Sequence, residues 1–219
     1  MATKNAINNK SQELTIDPGA SGDSFVQFDI NTTGEFRIGV DNTDDSFRIS
    51  QGSALGTNDT FVMSADGERT MPLQPAFLAD VTTQDSNVTG DGTAFTLGSG
   101  NALTEIFDQG GDFVTTGTFT APVTGLYYLH ASFLMSGVTA GFSDSNMLLD
   151  TSNANYYCAF CYAGQVAANN DQLIYSGAAF VDMDAADTAV AKLVVVGGAK
   201  TIDILTNNRD ARIEGFLVS

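Results

Sequence analysis

The segment from Glu105 to Thr139, EIFDQGGDFVTTGTFTAPVTGLYYLHASFLMSGVT, leaves few folds open to this chain. A Gly110-Gly111 turn leads into Phe113-Val114. A short strand-like piece, Thr118-Phe119-Thr120, then runs through Ala121-Pro122-Val123-Thr124-Gly125 into an aromatic strand from Leu126 to Met135. Proline fixes φ and has no amide to give to a ladder, while glycine tolerates positive φ. Pro122 and Gly125 are therefore predicted to mark a tight corner between two strands.

The rest of the chain agrees with an all-β reading. Hydrophobic residues make up 43% of the 219, enough for a core, but charged residues only 16%, so the polar surface must come from Ser, Thr, Asn, Asp and Gly. That composition suits sheets and turns and serves exposed helices poorly. The net charge of −17 leaves no basic footprint for phosphates, so nucleic acid is not an expected partner. No apolar run reaches the roughly 18 residues of a membrane-spanning helix, so no membrane insertion is expected. Residues 1–17 carry no apolar h-region, and a secretory signal is not expected either.

Three regions are predicted. Residues 1–23 are polar and aperiodic; Ile7, Leu14 and Ile16 are spaced along them as on an anchor arm that orders against a partner surface. Residues 24–71 carry strands led by Phe25, Phe36, Phe47 and Phe61, and Phe36-Arg37-Ile38 and Phe47-Arg48-Ile49 are near copies. Alternation puts the apolar side chains on one face of each strand. Such a sheet has too little apolar surface for a core of its own, whereas three chains face to face would have enough. Phe25, Phe36, Ile38, Phe47 and Ile49 are expected on that three-fold axis of an intertwined β-stalk. Pro72 and Pro75 mark the boundary to residues 72–219, where about ten short strands at regular spacing indicate a sandwich. Asp182 to Lys192 has a helix-like composition, but Ala-Val-Ala-Lys-Leu-Val-Val-Val favours strand.

Gly117, Phe119, Pro122, Gly125, Tyr127 and Leu129 together resemble a segment of the globular head of the complement one-q and tumour-necrosis-factor superfamily. Ala211 to Val218, with Gly215 and Phe216, is similar to that family's closing strand. The resemblance covers residues 77–219. It implies a ten-stranded jelly-roll head with these residues in its core and motif, homotrimeric and without catalytic activity. The Phe-led strands, with Gly52-Ser53-Ala54-Leu55-Gly56 between two of them, resemble the shafts of tailed-bacteriophage fibres and spikes. The reading is a non-enzymatic virion protein on the exposed particle surface. Its arm would hold capsid or tail proteins and its head would engage a host surface glycan or protein. A capsid decoration protein or head fibre is the alternative, followed by a cellular complement-one-q-like lectin and then by a polysaccharide-acting enzyme.

Few residues invite chemistry. Cys158 and Cys161 form a CxxC without a helix N-terminus or a second pair, and in a regular strand positions i and i+3 face opposite ways, so two core thiols are expected. His130, the only histidine, lies in an apolar strand and is expected to pack there or at an interface. The acidic groups Asp41/Asp44/Asp45, Asp108/Asp112, Asp144/Asp150 and Asp182/Asp184/Asp187 lack the spacing of a calcium loop, although a structural calcium in the head loops stays open. No catalytic residue and no other cofactor is expected.

Overall fold

A computed structural model describes residues 16, 18–19, 22–30, 34–162, 171–206 and 210–219. Of the arm residues, Ile7 and Leu14 lie outside this set and Ile16 is exposed. The described residues are all-β, and the chain divides into two compact units, Met1–Leu73 and Gln74–Ser219.

The first unit is an antiparallel meander of β1 (Ser24–Ile30), β2 (Gly34–Asp41), β3 (Ser46–Gln51), β4 (Asp59–Met63) and β5 (Arg69–Thr70), each strand paired with its neighbours in sequence. Register fixes its faces, because residues directly opposite share a side. Val26, Ile38, Ile49 and Phe61 stand in one row, Phe28 and Phe36 in a second, Val40, Phe47 and Met63 in a third, all on one face. Phe25 is opposite Gly39 and so lies on the other face, where the Arg37 guanidinium sits 4.3 Å from its ring centre. The grouping of Phe25 with the other four on one axis is thus corrected. β1 starts one residue out of phase with the Phe-Arg-Ile copies.

The second unit is a sandwich of the jelly-roll kind. One sheet has seven strands: β6 (Ala76–Asp80), β7 (Asp85–Thr89), β9 (Thr104–Gln109), β12 (Gly125–Ser136), β15 (Leu173–Met183), β17 (Ile202–Ile204) and β18 (Arg212–Leu217), in the order β7-β17-β12-β18-β6-β9 with β15 on the other side of β12. The second has β8 (Phe95–Thr96), β10 (Phe113–Val114), β11 (Thr118–Thr120), β13 (Asp144–Thr151), β14 (Asn155–Cys161) and β16 (Thr188–Val196), in the order β10-β11-β16-β13-β14 with β8 on β16. The ten strands expected become thirteen segments. Two-residue pieces count separately, and β17 and β18 are one interrupted strand, both laid along β12. Between Asp182 and Lys192 the chain ends β15, turns through Ala186 at φ 75° and enters β16.

Alternating residues of both sheets interdigitate. Phe77 stacks on Phe113 and on Phe119 at centroid distances of 4.7 and 4.8 Å, and Phe119 tilts against Tyr127 at 5.4 Å. Each such fully buried side chain contributes about 1.5–3 kcal/mol. The corner forms where the sequence placed it, and Tyr127 Oη closes it by donating to the Val123 carbonyl at 2.7 Å. Its glycine acts for a different reason than positive φ. A Cβ on Gly125 would stand 2.6 Å from the Ser219 carbonyl oxygen, so close approach of the chain's last residue requires glycine there. Gly117 is the left-handed one, at φ 93°. Pro122 is exposed at the corner and Phe216 is 47% exposed, so neither is a core residue. Alternation in β18 turns Gly215 inward against Leu129 and Phe77, and hence Phe216 outward.

Candidate binding faces

The first unit has one face of each chemical kind. The polar face is organised by Arg48, whose guanidinium reaches Asp41 at 3.2 Å, Asp44 at 2.5 Å and Asp59. Asp59 also accepts from Ser50 Oγ and from the Gly56 amide. Arg48, Asp41 and Asp59 are largely sheltered, and Leu55 is buried. The other face carries the apolar rows, and among the described residues of the unit no second layer covers them. Phe28 is 59% and Phe36 43% exposed, and Val26 and Val40 are exposed beside them. Phe47 meets Phe61 edge to face at 6.5 Å, and Ile38, Phe47 and Ile49 are half-buried. A sheet needs three or more strands and a covered apolar face to be stable, and this one has only the strands.

The head's seven-stranded sheet repeats the pattern on its outward side. Tyr128 is opposite Phe180 on β15 and Phe216 on β18, with ring centroids 5.5 and 5.3 Å away. One row on, His130 is opposite Ala178 and Glu214, and Glu214 is opposite Leu78, which is opposite Phe107. His130 Nδ1 stands 3.1 Å from Glu214 Oε1 and its Nε2 2.8 Å from Ser176 Oγ, so the histidine is held upright within the apolar patch. A hollow of about 280 Å³ opens between Leu78, Phe107, Tyr128, Glu214 and Phe216.

The cysteines are free, and the reason differs from strand alternation. β14 bulges against β13: Ala159 pairs with Met147 and Tyr157 with Leu148, so Cys158 is the extra residue. Both cysteines consequently pack against the core. Burial pushes the Cys158 thiol above its ordinary range. Cys161 Sγ lies 2.5 Å from Tyr175 Oη, which also meets Ser145 Oγ; burial, then the Cys161 contact, pushes the Tyr175 phenol up. This is a buried polar knot that ties β13, β14 and β15.

Loop carboxylates serve turns. Asp108 accepts from the amides of Asp112 and Phe113, each at 3.1 Å, and Asp187 from Ser152 Oγ at 2.8 Å and the Asp184 amide at 2.7 Å. Among the described residues no group of three or more His, Cys, Asp or Glu is placed to hold a metal ion. No described helix is long and apolar enough to cross a membrane.

No protein-family model matches the chain, and no curated protein does. Solved structures similar to it include murine APRIL at pH 8.0, 10% identical with a TM-score of 0.45, covering 66% of this chain and 99% of that one. They also include the globular domain of zebrafish complement 1qA protein, 19% identical with a TM-score of 0.41, covering 67% of this chain and 98% of that one.

Proposed function

We propose that the chain is a non-enzymatic, homotrimeric display protein on the surface of a tailed-phage particle, with its arm held by capsid or tail proteins and its head presented to the host. One observation carries the association: among the described residues, both units leave an apolar sheet face uncovered within the unit itself. Exposed contiguous apolar faces of this kind are costly in water and mark contact surfaces. A closed cyclic assembly brings the same face of every copy to one axis. In the stalk that face is Phe28, Phe36, Ile38, Phe47, Ile49 and Phe61, without Phe25. Each large side chain covered there contributes about 1.5–3 kcal/mol, so a few of them in three copies hold the assembly together. The phage setting rests on the shaft-like sequence of residues 24–64, and the non-enzymatic reading on faces whose exposed side chains are mostly apolar.

Sedimentation of the full chain tests the association. A species near three times the 23.0 kDa chain mass is expected at micromolar concentration, and a stable monomer would overturn the reading. Antibody labelling of purified particles tests the setting; label on the tail or capsid surface is expected, and unlabelled particles would remove the virion role.

A further inference from the structure

The six-stranded sheet also has an outward face, and its side chains differ from those of the two association faces. β14, at the edge of the sheet, carries Tyr157 and Phe160, 67% and 60% exposed, and Tyr162 follows at 55%. Phe160 and Tyr162 meet edge to face at 5.9 Å, which holds both rings upright in water. The neighbouring strand contributes polar groups in the same rows: Asn146 is opposite Phe160, and Leu148, opposite Tyr157, forms a floor between that ring and Lys192. Lys192 is already paired with Asp150. Asp144 stands on the same face of β13 as Asn146, and its buried Oδ1 meets no hydrogen-bond donor among the described residues.

We propose that this face binds a neutral oligosaccharide, with Tyr157, Phe160 and Tyr162 as stacking platforms and Asn146 and Asp144 as hydrogen-bonding partners. The face asks for a ligand with apolar flat sides and many hydroxyl donors. Aromatic faces are the apolar half of that match. Asn146, whose amide both donates and accepts beside Phe160, is the polar half, with the Asp144 carboxylate on the same face of the strand. Lys192, the one cation among the described residues of this face, is paired with Asp150 and the chain carries −17 overall, so an anionic glycan would be repelled. A sugar presents C–H faces and hydroxyls in alternation and carries no charge. The proposal rests on the reading of the head as the part shown to the host, and moves its recognition from unspecified loops to a sheet face.

The test incubates the full chain on a printed array of neutral glycans, then titrates the best binder against variants, with circular dichroism and sedimentation run on each. At least one glycan is expected to bind. Phe160→Ala and Asn146→Ala should each weaken it by about tenfold or more, Phe160→Tyr should keep it, and Val114→Ala, at an exposed site on β10, should leave it unchanged. An array with no bound glycan, or equal binding by folded Phe160→Ala, overturns the proposal. So does a Phe160→Ala chain that changes its sedimentation, because the face would then be a contact between copies. A monomeric chain that still binds sugar would instead fail only the trimer reading.

Discussion

Asp112 shows how a turn can place one carboxylate at the expense of another. The amides of Asp112 and Phe113 are committed to Asp108, whose charge is thereby fixed beside the Asp112 side chain. Burial, and then that neighbouring charge, raises the Asp112 carboxyl above its ordinary range. A carboxyl whose folded pKa exceeds its unfolded one, near 3.9, favours folding in its protonated form; that contribution is present at low pH and is lost as pH rises through the folded value. Asp112→Asn keeps the shape and removes the charge. Its melting temperature should equal the wild type's near pH 3 and exceed it modestly at pH 7. A variant less stable at pH 7, or a difference independent of pH, would show that the carboxylate has a compensating partner. At the same scale, Tyr175 marks a limit of sequence reading. Nothing in LIYSGAAFV distinguishes its phenol, yet it is the one that joins Cys161 and Ser145 in the core.

At the scale of the strand, one residue of phase decides which side chains meet. Phe25 and Phe36 look equivalent in the sequence, but the β1–β2 ladder puts Phe25 under Arg37 and Phe36 in the open apolar row. Phe36→Asp should therefore break self-association of the stalk, costing about 2–3 kcal/mol per copy through lost burial plus the desolvation of a carboxylate. Phe25→Asp should cost only about 0.5–1 kcal/mol from the lost cation–π contact and leave the sedimentation coefficient unchanged. Dissociation by both variants, or by Phe25→Asp alone, would reverse the face assignment. Periodicity made the strands and the apolar alternation legible, and the Pro122 corner was legible because proline and glycine restrict the backbone locally. Features set by pairing were not. The bulge at Cys158 depends on how β14 meets β13, the outward turn of Phe216 on the parity of β18 against β12, and the need for Gly125 on where Ser219 ends. The two faces of the head were equally hidden, since the outward placement of Tyr157 or Tyr128 follows from the layer each strand joins.

Across the whole molecule the two units differ in what they need from elsewhere. The head's buried cluster runs from Phe77 to Ile213 and is supplied by the strands and connecting loops of this unit, with aromatic rings stacked through its centre. Hydrogen bonds near the break also tie this unit to itself. Gln74 Nε2 donates to the Leu217 carbonyl at 2.6 Å, and the Leu217 amide donates to the Pro75 carbonyl at 3.0 Å, so the first residues of this unit are tied to its last strand. Among the described residues the meander, by contrast, is one layer deep, and its large apolar residues stay partly exposed unless another surface covers them. A sandwich of about 146 residues lies well above the size at which a core can sustain a domain, whereas a single five-stranded layer does not enclose one. Residues 74–219 produced alone should accordingly give a β-type circular dichroism spectrum and one cooperative thermal transition at nearly the temperature of the head transition in the full chain. Residues 22–73 alone should show no cooperative transition at low micromolar concentration and acquire one only as concentration rises, because their core has to come from other copies. A concentration-independent transition in the short fragment would mean that the meander covers its apolar face by itself. The open rows at Phe28 and Phe36 would then have to close within one chain, and the argument for association through the stalk would fall with them.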